Sequence, residues 1–159
     1  MTGKTRTLLC IDPGLTHLAV GIFRGTSEED LVHVWSYMYE CKKDPELLAH
    51  CIQCMAKKAK EEGTDRALLE YQAPMGNAVA ARWNIYVEGG LATGLWLQGI
   101  PVETISPSAA KRSLHVATGD YAANKRLALK YAKEKCPTID IHHVADCYIL
   151  ARYYMKMNS

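Results

Sequence analysis

The chain has 159 residues, 48% of them apolar and 23% charged, with a formal net charge of +2. That length suits one domain over 1–159 with a full hydrophobic core, and the ordinary balance of residue types excludes a collagen-like or low-complexity chain. No apolar run approaches the ~20 residues of a membrane span. Met1–Thr7 runs into a strand-like segment with none of the apolar core of a secretory signal. The expectation is therefore a soluble protein of a cytosol-like compartment, with no membrane partner.

The charge is unevenly placed. Up to residue 110 there are ten Lys/Arg against thirteen Asp/Glu, a net of −3; from 111 onward there are nine against four, a net of +5. A basic C-terminal third suits a polyanion-facing surface. The six cysteines read as reduced thiols in such a compartment. Cys10 and Cys147 lie in apolar surroundings, where a thiol behaves as a small hydrophobe. Cys51-Ile52-Gln53-Cys54, with His50 beside it, falls inside a helical pattern and has no second C-x-x-C to complete a zinc site.

In chain order, Thr7–Asp12 is a short apolar strand that Pro13-Gly14 turns back into a second strand over Leu18–Phe23. Val32, Val34, Trp35, Tyr37 and Tyr39 make Leu31–Tyr39 a third strand. Pro45 opens a helix to Glu62, with an apolar stripe at helical spacing and Gly63 as its stop. Ala67–Tyr71 is a fourth strand. A long helix follows from Asn77 to Gln98, where Gly89, Gly90 and Gly94 lower helix propensity by about 1 kcal/mol each. Those glycines imply close approach of another backbone, from the sheet or from a second subunit. Val102–Ile105 is a fifth strand. Ser106-Pro107 caps a short helix to Leu114, and two more helices cover Asp120–Cys136 and His142–Met157. The order β-β-β-α-β-α-β-α-α-α predicts an α/β fold: a five-stranded mixed sheet with helices on both faces.

Two carboxylates stand at strand ends, Asp12 and Glu70, and a further pair, His143 and Asp146, lies three residues apart on one face of the last helix. Carboxylates at the ends of buried strands are costly unless a cation meets them. Oxygen ligands suit Mg²⁺ or Mn²⁺, and a histidine shifts preference toward Mn²⁺. Two such ions can activate a water and stabilise the leaving oxygen in phosphodiester hydrolysis. The plainer reading of each residue stands beside this one: turn-forming Asp at a strand end, a helix-dipole acid at Asp146, a surface pair at His142-His143.

Taken together, these motifs resemble the RuvC-type Holliday junction resolvases of ribonuclease-H-like fold, and among them the small resolvases of poxvirus type. Ile11-Asp12-Pro13-Gly14 looks like the first-strand motif. Leu68-Leu69-Glu70 with Gln72 and Pro74 is similar to the second acidic motif. Ile105-Ser106-Pro107 through Lys111 is similar to the segment bearing the family's lysine, and His143-Val144-Ala145-Asp146 looks like the closing motif. Many members have Asp where this chain has His143, which leaves that residue open between metal ligand and base, with Asp140 or His142 as alternative ligands. The resemblance implies a homodimer that binds a four-way DNA junction and nicks two opposed strands, leaving 5′-phosphate and 3′-hydroxyl ends. It implies two Mg²⁺ or Mn²⁺ ions on Asp12, Glu70, His143 and Asp146, with Lys111 as a fifth catalytic participant. The long helix, through Gly90-Leu91-Ala92-Thr93-Gly94, would be the dimer element.

For DNA, Lys111, Arg112, Lys125 and Arg126 are the expected phosphate contacts, with Lys130 and Lys133 read as a solvated helix face. Arg82 and Trp83 follow the Glu70 loop, where Trp83 is either a wedge that stacks at the branch point or a core aromatic. Two rival readings remain at this level. One is a junction-binding protein without catalysis. The other is an actin-like or sugar-kinase type ATP-binding domain, for which 159 residues leave little room.

Overall fold

In the computed structural model, which describes residues 3–72 and 77–159, the central strand is β1 (Arg6–Pro13), with β2 (His17–Gly25) antiparallel on one side and β4 (Arg66–Glu70) parallel on the other. β3 (Val32–Glu40) extends the sheet beyond β2 and β5 (Val102–Ile105) beyond β4, giving the order β3-β2-β1-β4-β5. The described residues also form five helices: α1 (Pro45–Glu61), α2 (Ala78–Leu97), α3 (Pro107–Ser113), α4 (Tyr121–Lys135) and α5 (His142–Met157). All ten predicted elements are present, with ends displaced by no more than two residues. The mixed five-stranded sheet with helices on both faces is as expected.

Side chains alternate across a strand, and that period divides the core in two. Leu8 and Cys10 of β1 and Leu68 of β4 face α3, α4 and α5, where Tyr148, Ile149 and Ala145 close over them. Leu9, Ile11 and Leu69 face α1 and α2 and meet Met55, Leu91 and Leu95. α1 begins where it does because Asp44 accepts hydrogen bonds from the Glu46 and Leu47 amides and Pro45 occupies the first turn. Its buried Leu48, Ile52, Met55 and Ala59 recur at helical spacing. Asn77, Ser106 and Asp120 cap α2, α3 and α4 in the same manner. No helix of the described residues is long and apolar enough to cross a membrane.

Within the chain, the close neighbour of the α2 glycines is α1 and not the sheet: a Cβ on Gly94 would stand 2.7 Å from Ile52 Cγ2, while one on Gly89 would meet nothing within 4 Å. Gly94 is what lets α2 seat on α1. Gly94→Ala is expected to destabilise the protein by about 1–3 kcal/mol through overpacking, whereas Gly89→Ala gains up to about 1 kcal/mol of helix propensity. Urea denaturation of the two variants checks the contrast.

Candidate metal and nucleic-acid site

The register of the parallel pair sets Ile11 opposite Leu69, so the next residues, Asp12 and Glu70, lie side by side at the carboxyl ends of adjacent strands. Period two puts Asp12 on the face of Leu8 and Cys10, and Glu70 on the face of Leu68. That is the face covered by α5. The turn after β1 is tight: the Gly14 amide donates to His17 O at 2.8 Å, and a Cβ on Gly14 would stand 2.6 Å from that oxygen. Only glycine fits there, because the His17 carbonyl fills the place a side chain would take, and the hairpin can then turn tightly beside Asp12.

α5 brings the other two residues. Asp146 is only 3% exposed, and its carboxylate is gripped by two lysines: Lys111 Nζ from α3 at 3.1 Å from Oδ1, and Lys125 Nζ from α4 at 2.8 Å from Oδ2. The Lys111 approach is an ion pair of poor hydrogen-bond angle, and Oδ1 remains without a hydrogen-bond partner. His143 stands one turn before Asp146, and its Nδ1 lies 3.1 Å from Asp12 Oδ2. Three carboxylates, one imidazole and two ammonium groups thus converge from β1, β4, α3, α4 and α5.

The electrostatics follow from burial. Burial pushes the Glu70 carboxyl up to about 8, the charges of Asp12 and Asp146 push the same way, and Lys111 and Lys125 offset only part of this. Burial works against the Lys125 ammonium, but its hydrogen bond to Asp146 and the charges of Asp146 and Asp12 together outweigh that and hold its pKa up at about 12. The hydrogen bond with Asp12 raises His143 above its ordinary value against partial burial. Burial likewise raises the Cys10 and Cys147 thiols, which are inert core groups beneath the site.

Among the described residues, no three His, Cys, Asp or Glu side chains are already arrayed around one ion position. The donor set nonetheless fits a hard divalent cation: carboxylate oxygens from two strand ends and a helix, one of them with an unsatisfied oxygen, and a neutral Glu70 that would ionise beside such a charge.

The other expected residues are spread over several places. Arg82, Arg112 and Arg126 are exposed, the last two on the helices that carry Lys111 and Lys125. Lys125 is not on the open face of α4 but inside the site. Trp83 is half-buried against the α1–α2 side of the core, stacks on Tyr86 at 5.2 Å, and donates from Nε1 to Leu15 O at 2.8 Å, so it ties α2 to the turn after Asp12. His142 turns to the Lys125 carbonyl at 3.2 Å, Asp140 is exposed ahead of α5, and Lys130 lies 4.0 Å from Glu134 on an open helix face. Pro74 of the second acidic motif lies outside the described residues. Sequence spacing alone missed the Lys125–Asp146 clamp and the Trp83–Leu15 tie, because both join residues from separate elements.

A parallel core β1-β4-β5 extended by an antiparallel hairpin, with helices on both faces, is the ribonuclease-H-like fold. Solved Holliday junction resolvases share it. The Thermus thermophilus RuvC in complex with a Holliday junction substrate aligns with a TM-score of 0.78 at 16% identity, covering 96% of each chain. The fowlpox virus resolvase in complex with its substrate Holliday junction DNA aligns at 0.62 and 14% identity, covering 96% of this chain and 98% of that one. The yeast mitochondrial Holliday junction resolvase Ydc2 aligns at 0.62 and 12% identity, covering 98% and 80%. No family model matches the chain, and no curated protein sequence does.

A carboxyl that keeps its proton in the folded state to about pH 8, but loses it near 4.5 in the unfolded chain, costs stability as pH rises through that window. Glu70→Gln is therefore expected to raise Tm at pH 8 in metal-free buffer by about 3 °C or more, with little change at pH 5. Thermal melts at the two pH values check it.

Proposed function

We propose that this protein is a structure-specific endonuclease that resolves four-way DNA junctions by metal-dependent paired nicking, giving 5′-phosphate and 3′-hydroxyl ends. The observation that carries the proposal is the convergence of Asp12, Glu70, His143 and Asp146 in one cleft, at the carboxyl ends of β1 and β4, in the fold of resolvases solved with junction DNA. Asp12, Glu70 and Asp146 would hold two Mg²⁺ or Mn²⁺ ions, which would supply Lewis-acid stabilisation of the attacking and departing oxygens.

The chain's own groups do the rest. Glu70 and Asp146 are desolvated, so a cation would meet their oxygens with little competition from water, and its charge would ionise Glu70. His143 lies on the solvent side of Asp12 and is placed to take the proton of the attacking water. Lys111 and Lys125, held near the cleft by Asp146, add positive charge where a scissile phosphate would sit. Arg82, Arg112 and Arg126 bind flanking phosphates without reading bases. Trp83 positions the Asp12 turn through Leu15 rather than wedging into DNA.

Two opposed cuts need two sites, and a two-fold homodimer supplies them on a two-fold junction. The exposed Ile85, Trp96 and Leu97 of α2 support α2 as the dimer element through its outer apolar face. The Gly90–Gly94 stripe is not that face, since Gly94 is spent on α1.

Wild-type protein with Mg²⁺ or Mn²⁺ is expected to nick a synthetic four-way junction at symmetric positions and leave linear duplex intact. Asp12→Asn is expected to cut slower by more than the ~10–100-fold typical of losing an outer-shell partner, with junction binding retained. An intact junction with wild type overturns the nuclease reading and leaves a binding protein. Lost binding in Asp12→Asn makes Asp12 a structural residue.

A further inference from the structure

The cleft does not end at Asp12. A cavity of about 490 Å³ continues from Asp12 and His143 past Gly14, Thr16 and His17 to Met38. It follows a row across the sheet, since Asp12 pairs with Ala19 and Ala19 with Met38. The nuclease chemistry uses only its Asp12 corner.

At the far end β3 passes into α1 through Cys41-Lys42-Lys43-Asp44. The Asp44 amide donates to Cys41 O at 2.8 Å, closing a four-residue turn whose central residues have φ of +48° and +56°. Positive φ at both central positions belongs to glycine and asparagine. Here both are lysines with exposed side chains. The turn is clipped to the catalytic hairpin: the Cys41 and Lys42 amides both donate to Thr16 O, at 2.8 and 3.1 Å. Lys42 Nζ lies 3.6 Å from Glu40 Oε1, and His17 Nε2 lies 4.0 Å from the same oxygen, so Lys42 is one side chain away from the cavity wall. Lys43 makes no ion pair among the described residues. A connection that only had to join β3 to α1 would be less strained with glycine. Backbone strain held in place beside a cleft points to use.

We propose that the Lys42-Lys43 turn, with His17, is a phosphate-binding track that holds the DNA strand as it leaves the metal site through this cavity. The proposal rests on the junction-nuclease reading and adds a place where the substrate is gripped. Two ammonium groups act as point charges on successive phosphates, and the clip to Thr16 fixes their position relative to Asp12. The turn lies in the acidic part of the chain, so the net charge of the N-terminal two-thirds would not reveal it.

The test uses the full chain, a synthetic four-way junction in EDTA and a salt series from about 50 to 200 mM. Replacing both lysines by glycine (Lys42→Gly with Lys43→Gly) removes charge and strain together. The track predicts a raised Tm with junction affinity about 5–10-fold weaker and a salt slope shallower by about one to two. Lys42→Arg with Lys43→Arg should keep wild-type affinity, and Lys43→Glu should bind more weakly than the wild type. If wild type binds and nicks junctions but the glycine variant matches it in affinity and salt slope, the track is overturned and the nuclease reading stands. If wild type binds no junction, both fall.

Discussion

Burying Glu70 beneath α5, and Asp146 on the inner face of α5 itself, is the constraint that the rest of this structure answers. An ionised carboxylate taken out of water is costly unless paired. For Asp146 the pairing comes from two helices at once: Lys111 from α3 and Lys125 from α4 reach its two oxygens. For Glu70 no such partner suffices, and its carboxyl stays protonated to about pH 8. The fold therefore keeps one acid clamped between two lysines, one neutral, and a third, Asp12, against His143.

The sheet makes that convergence geometrically cheap. Adjacent parallel strands β1 and β4 end together, and strand alternation aims Asp12 and Glu70 at one helix-covered face. The N-terminal turns of α5 then deliver His143 and Asp146, three residues apart, to the same place. α3 and α4 pack against α5 in the same half of the core, and their lysines follow from that packing. On the other face α1 and α2 form a separate apolar layer, joined to the site through the Trp83 hydrogen bond to the turn after Asp12.

Much of this was legible from residue order. Punctuation by Asp44-Pro45, Gly63, Asn77 and Ser106-Pro107 marks the helix ends because each is satisfied locally, by a cap or a left-handed residue. The strand-end acids are legible because strand periodicity assigns them a face. What sequence does not carry is which distant groups meet. Lys125 reads as one of several lysines on a helix until α4 docks on α5. Gly94 reads as an interface residue until Ile52 of α1 fills the space above it. The Lys42-Lys43 turn has no glycine or asparagine to announce its positive φ.

The central claim is that Asp12, Glu70 and Asp146 are held for a divalent cation. The most direct measurement is thermal stability against Mn²⁺ concentration for wild type, Glu70→Gln and Asp146→Asn. A ligand that binds only the folded state raises Tm as its concentration passes its dissociation constant. The account predicts a Mn²⁺-dependent rise in wild type that is lost or strongly weakened in both variants. A wild-type Tm that Mn²⁺ does not move, or an equal rise in all three proteins, would contradict it.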